Sequence, residues 1–226
     1  MTTKRELKIR RITDLLEKDY GRPVRRTKES LLEQLILTIL SQNTTDINRD
    51  RAFARLREKF PDLMSIASSS PAVVENAIRV GGLAGIKSKR IYSIVRSLER
   101  SKTGHDLGLE RGMGKEAVRE RLMAFKGVGR KTADCVLLFG MKEDAFPVDT
   151  HVHRLSKRLG LVPPDTSRDG AAEILEGDVP SEDRYSLHVN LIRHGRNVCR
   201  PRNPRCGECS LRRLCSYYTK AGKKKH

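Results

Sequence analysis

The chain has 226 residues, 37% hydrophobic and 33% charged, enough to bury a core and unlike a disordered chain or a membrane protein. Lys plus Arg number 46 against 28 Asp plus Glu, a net charge of +18 that points to a polyanionic partner, nucleic acid before membrane. The opening residues are charged and carry no secretory signal, and the most apolar stretch, 31–40, is broken by Glu33, Gln34 and Thr38. An intracellular protein is therefore expected, where disulfides are disfavoured.

Leu7, Ile9, Ile12, Leu15 and Leu16 repeat near the 3.6-residue period and predict a first helix, ended by Gly21-Arg22-Pro23. Leu31, Leu32, Leu35, Leu37 and Ile39 predict a second, broadly apolar and buried helix. Further helices are expected over 46–60, 71–80, 88–98, 115–124, 131–139, 149–159, 170–175 and 184–194. Alternating strand patterns are scarce, so the chain reads as all-α. The polar, glycine-containing stretch 102–114 reads as a loop. The tail, with Lys220, Lys223, Lys224 and Lys225, reads as a frayed charged terminus.

The sharpest local pattern is Phe125-Lys126-Gly127-Val128-Gly129-Arg130-Lys131-Thr132-Ala133, between two helical stretches. Gly127 and Gly129 permit a tight turn, and amides at the start of the next helix can hold a phosphate without reading bases. A plain interhelical turn has the same pattern. Lys131 opens the second helix beside Arg130, where helix dipole and neighbouring cation favour a neutral, nucleophilic amine. A lysine that stays charged on phosphate is the alternative. Eighteen residues on, Asp149 in Pro147-Val148-Asp149-Thr150-His151 precedes another helix and reads first as its N-cap. Its carboxylate would also raise the pKa of an adjacent lysine.

Four of the five cysteines form C-x6-C-x2-C-x5-C: Cys199, Cys206, Cys209 and Cys215. Zinc and an iron–sulfur cluster both suit four thiolates, although zinc ribbons usually separate two close pairs by a longer insert. Arg196, Arg200, Arg202, Arg205, Arg212 and Arg213 surround them and present positive charge to phosphate. Cys135 reads as a small buried core residue. His151 and His153 lack a third metal ligand nearby, and His188 and His194 read as ordinary helix residues.

Gly127–Ala133 followed by Val148-Asp149-Thr150-His151, together with the cysteine spacing, resembles the endonuclease III family over about residues 5–218. One departure is Phe125-Lys126, where that family usually has Leu-Pro. The resemblance implies a two-lobed helix-hairpin-helix DNA glycosylase fold with a C-terminal 4Fe-4S cluster loop at 199–215. One lobe would be a six-helix bundle, 24–143, and the other would combine 1–23 with 144–226.

It further implies base excision repair: Lys131 attacks C1′ of a damaged nucleotide, Asp149 supports the developing positive charge, and β-elimination follows. Oxidised pyrimidines and abasic sites in double-stranded DNA are the expected substrates, and the protein is expected to be monomeric, in the cytoplasm or nucleoid of a prokaryote. Ser41-Gln42-Asn43-Thr44 resembles the segment that fills the gap left by an extruded base, through Gln42 or Asn43. Leu83, in Gly82-Leu83-Ala84-Gly85, resembles the leucine that wedges into the duplex, with core packing as the alternative. DNA contacts are expected at Gly127, Gly129 and Arg130 as well. A monofunctional mismatch glycosylase and a non-catalytic helix-hairpin-helix DNA-binding protein are the alternative functions.

Overall fold

A computed structural model describes residues 3–25, 29–109 and 112–223, with side chains up to residue 219. Lys224 and Lys225 of the expected tail lie outside the described residues, as do the side chains of Lys220 and Lys223. The helices in chain order are α1 (Lys4–Tyr20), α2 (Leu31–Leu40), α3 (Asp46–Lys59), α4 (Pro71–Ile78), α5 (Ala84–Ser101), α6 (Lys115–Met123), α7 (Arg130–Cys135), α8 (Thr150–Leu159), α9 (Arg168–Asp178), α10 (Ser181–Asn197) and α11 (Ser216–Lys223). Every regular element among the described residues is helical. None of these helices is long and apolar enough to cross a membrane.

Local chemistry sets most of the starts. Ser30 and Glu33 form a reciprocal capping box at α2, and Ser70 caps α4 with Pro71 at its first position. Thr45 caps α3, accepting the amide of Asn48 at 3.2 Å, and Asp46 pairs with Arg49 at 3.2 Å. Helices α9 and α10 outrun the predicted 170–175 and 184–194. Their first turns are polar, Arg168-Asp169 and Ser181-Glu182-Asp183, and so carry no apolar period. The predicted helix 131–139 is α7 followed by a wider π-helical turn, Val136–Met141. A 3-10 turn at Leu63–Ser68, with Leu63, Ile66 and Ala67 buried, has no counterpart among the predicted elements.

The helices group into two compact units, one of α2–α7 and one of α1 with α8–α11. In the first, α2 is the central rod: Leu32, Leu35, Ile36, Ile39 and Leu40 are wholly buried, against α3, α5 and α7. Each such side chain stabilises the fold by roughly 1.5–3 kcal/mol. In the second unit, Ile9, Ile12 and Leu16 of α1 pack with Val152, Leu155 and Leu159 of α8 and Leu187 and Leu191 of α10. Cys199, Cys209, Leu214 and Cys215 pack against that same core. Cys135 is buried in the α2–α7 unit.

Among the described residues, two cations are buried in the α2–α7 unit. Arg119 of α6 donates from Nε to Asp134 of α7 at 2.7 Å, and both side chains are almost fully enclosed. Lys87 of α5 is 1% exposed, and burial pushes its ammonium below the ordinary lysine range.

Asp134→Ala is expected to cost about 1–3 kcal/mol, because the buried Arg119 guanidinium loses its enclosed partner and keeps Glu116. The paired replacement Arg119→Met/Asp134→Leu is expected to recover most of that loss in urea unfolding. A single-variant cost below about 1 kcal/mol would show that the pair does not hold α6 to α7.

Candidate active site and nucleic-acid interface

Helix α6 ends at Ala124, and the chain reverses through 125–129. The amide of Val128 bonds the carbonyl of Phe125 at 3.0 Å and closes the turn. Gly127 has φ +85°, a region that favours glycine. Gly129 is the N-cap of α7; its carbonyl accepts Thr132 N at 2.9 Å and Ala133 N at 3.1 Å, and no side chain occupies the cap. The turn forms despite Phe125-Lys126: Phe125 is half-buried, Lys126 is exposed, and Val128 is buried beneath. Gly127 and Gly129 are exposed at the tip. Lys131, the second residue of α7, is half-buried, and the next three residues, Thr132, Ala133 and Asp134, are anchored in the core.

Arg90 of α5 joins this hairpin to the 41–45 loop. A Cβ on Gly127 would overlap the Arg90 guanidinium, so the arginine lies directly against the glycine. Its NH1 donates to Gln42 Oε1 at 2.8 Å, and Gln42 Nε2 donates to Thr132 Oγ1 at 3.5 Å. The Gln42 amide is thus committed within the protein. Asn43 is exposed, with φ +51°.

Leu83 is 49% exposed and also left-handed, φ +49°, directly after Gly82 at φ +67°. Core packing therefore does not account for Leu83. A β-carbon on Gly82 would lie 4.0 Å from the carbonyl oxygen of Asn43, so the two loops are neighbours. Left-handed geometry costs a non-glycine residue about 1–2 kcal/mol, which makes an exposed leucine there hard to explain by stability.

In the other unit, Asp149 is the N-cap of α8, its Oδ1 accepting Val152 N at 2.7 Å. The segment before it is fixed: Val148 is 3% exposed, and His188 Nδ1 donates to the Pro147 carbonyl at 2.9 Å. His151 accepts from Arg154 NH2 at 3.2 Å, and burial holds its pKa below the ordinary histidine value although Asp149 opposes this. His153 donates to the Thr166 carbonyl at 2.8 Å. The two histidines serve separate partners.

Cys199, Cys206, Cys209 and Cys215 line one recess. Arg154, Arg158, His194 and Tyr20 support it, and none of them was singled out for this place from sequence. Arg154 donates to the Cys199 carbonyl at 3.1 Å from Nε and 2.9 Å from NH2. Arg158 donates to Cys199 Sγ at 3.3 Å and to the Arg200 carbonyl at 2.8 Å. Their spacing of four on α8 puts both on one helix face, a signal visible in the sequence. Cys209 Sγ lies 3.3 Å from His194 Nε2, and the Tyr20 hydroxyl lies 3.0 Å from Nδ1. With the tyrosine donating, the imidazole is left to donate to sulfur. Burial pushes the Cys209 thiol up to about 11. Arg196, Arg200, Arg202, Arg205, Arg212 and Arg213 are all exposed around this loop.

Residues 36–180 match the model of the HhH-GPD superfamily of base excision DNA repair proteins, and the chain belongs to that superfamily. Endonuclease III of Thermotoga maritima is 35% identical over 189 residues, 84% of each chain. A relative from the plant Arabidopsis thaliana is 39% identical over 182 residues, 77% of this chain; the match spans 62% of the relative's length. A solved structure of a trapped endonuclease III–DNA covalent intermediate superposes with a TM-score of 0.81 at 30% identity, covering 98% of this chain and 100% of that one.

Gly127→Ala is expected to lower stability by about 1–2 kcal/mol, since the added Cβ meets both a positive φ and Arg90. Unfolding in urea measures the loss; a neutral result would mean that the hairpin relaxes freely away from Arg90.

Proposed function

We propose that this protein is a DNA glycosylase with AP-lyase activity that removes oxidised pyrimidines from duplex DNA. The observation that carries the reading is the placement of Lys131. It is a half-buried lysine on the first turn of α7, just past an exposed glycine hairpin, with the following residues locked in the core. The hairpin amides and Arg130 grip the phosphate backbone, and the net charge of +18 draws the duplex in.

The glycosidic carbon is shielded in stacked DNA, so the damaged nucleotide is extruded first. Asn43 and Leu83 fill the space, while Gln42 stays with Arg90 and Thr132. Lys131 Nζ then attacks C1′; the C1′–N bond breaks, and the base departs with the electron pair and a proton given up by the amine. Transfer of the remaining amine proton to O4′ breaks the C1′–O4′ bond, opens the sugar ring and gives the imine. Removal of a C2′ proton expels the 3′ phosphate, and hydrolysis of the imine frees the lysine. Asp149 stabilises the positive charge at C1′ and relays protons. Its Oδ1 is held by Val152, which fixes the carboxylate's direction.

The four cysteines suit a 4Fe-4S cluster. One close pair flanked by two longer intervals is unlike the two close pairs of a zinc ribbon, and all four cysteines line one recess. When bound, the cluster ties the loop together and supplies a redox-capable centre. The exposed arginines around the loop then face phosphate. The protein acts as a monomer on genomic DNA, the nucleoid in a prokaryotic cell.

The test is borohydride trapping on a duplex with one thymine glycol. Wild type is expected to give a covalent complex, absent in Lys131→Ala. Asp149→Asn, which still caps α8, is expected to slow the chemistry by about 10²–10⁴-fold without loss of folding. Binding without any trapped species, on this or an abasic duplex, would move the protein to the monofunctional or purely DNA-binding class. Purified protein is expected to be brown with about four irons per chain. A colourless preparation with one zinc would overturn the cluster assignment.

A further inference from the structure

Lys87 takes no part in the chemistry above, yet it is among the largest fully buried side chains in the molecule. Its Nζ donates to two main-chain carbonyls, Leu40 at 2.8 Å and Gly81 at 2.8 Å. Leu40 is the last residue of α2, and the chain continues into Ser41, Gln42 and Asn43. Gly81 ends a short 3-10 turn, Arg79–Gly81, and the chain continues into Gly82 and Leu83. One cation therefore sits at the root of both loops.

The placement is chemically apt. The Leu40 carbonyl is among the last four of α2, where acceptors lack intrahelical partners and the helix dipole is negative. The lysine's own helix completes the arrangement, because Ile86 N and Lys87 N both bond the Leu83 carbonyl, at 3.1 and 3.0 Å. The Leu83 backbone, the Gly81 carbonyl and the end of α2 are thus tied to one residue. Beyond that tie, Asn43, Gly82 and Leu83 all hold positive φ, and Asn43 and Leu83 are exposed.

We infer that Lys87 is a positioning residue for base extrusion: its ammonium joins the Asn43 and Leu83 loops into one preformed wedge. The inference rests on the proposed reading of those loops as the gap-filling elements. A preformed wedge spares the ordering of two strained loops at the moment the duplex opens. Its loss affects the removal of a stacked base more than the cleavage of an abasic site, where no base remains to be unstacked.

The experiment uses the full-length holoprotein and its Lys87→Met variant, which keeps the apolar stem and removes the donors. Hydrogen exchange of the free protein comes first. Faster exchange at 41–45 and 82–86, with the hairpin 125–130 unchanged, is expected; unchanged exchange at both loops overturns the inference. This arm does not depend on activity, so inactive wild type would defeat the proposed function without deciding the role of Lys87. Single-turnover cleavage follows, on a thymine glycol duplex and on an abasic duplex. Excision of thymine glycol is expected to slow by about 100-fold, abasic cleavage by only a few fold. In Lys87→Met/Leu83→Ala the two losses should combine to less than their product. Equal slowing on both substrates, or fully multiplicative losses, also overturns it. If Lys87→Met does not fold, Lys87→Gln, which keeps a neutral N–H donor, carries the same comparison.

Discussion

A turn built on two glycines has no side chains of its own to hold it, so the hairpin between α6 and α7 depends on what clamps its two helices. That clamp is the ion pair of Arg119 and Asp134, closed at 2.7 Å in a site almost without water. Desolvation offsets much of the attraction in such a pair, and an apolar pair of similar volume could stabilise the fold as well. What the ion pair adds is direction. A guanidinium and a carboxylate meet in few geometries, so the register of α7 on α6 is set. Lys131 lies three residues before Asp134, within one turn, and inherits that register.

The same unit holds its strain where the clamp and two further cations can offset it. Leu83 is left-handed without being glycine, at about 1–2 kcal/mol, whereas Asn43 adopts the same region as a residue that tolerates it. Lys87 holds the roots of their loops, and Arg90 holds Gln42 beside the hairpin. An exposed leucine in a strained conformation stabilises nothing in the free protein. Its persistence is understandable if the tip acts on something outside the chain, and a stacked duplex is what the superfamily's chemistry requires to be opened.

Much of this was legible in the sequence, for a common reason: the readable features are local. The helices follow from apolar periods and capping residues, the hairpin from Gly127 and Gly129, and the cysteine recess from four residues within a short segment. The structure places both glycines at the exposed tip and gathers the four thiols. The supports were not legible, because they act between distant segments and mostly on main-chain atoms. Lys87 reaches the Leu40 carbonyl 47 residues away, and Arg90 reaches Gln42 across 48. Backbone acceptors leave no trace in side-chain chemistry. His194 read as an ordinary helix residue because Tyr20, which lies 3.0 Å from its Nδ1, is 174 positions earlier. The choice between Gln42 and Asn43 was open for the same reason: only the contact with Arg90 and Thr132 shows which amide is already engaged.

Asp149 shows why a structural and a chemical reading of one residue need not compete. As the cap of α8 it accepts Val152 N at 2.7 Å, which engages one oxygen and fixes the plane of the carboxylate. Upstream, the His188 bond to Pro147 and the burial of Val148 leave the backbone little freedom. A group meant to meet charge developing at a single carbon must be held in this way before substrate arrives, because its stabilising effect falls when it has to reorient. The cap thus supplies the preorganisation on which the proposed chemistry draws. Asparagine would cap the helix equally well, so Asp149→Asn separates the cap from the charge on which the proposed chemistry draws.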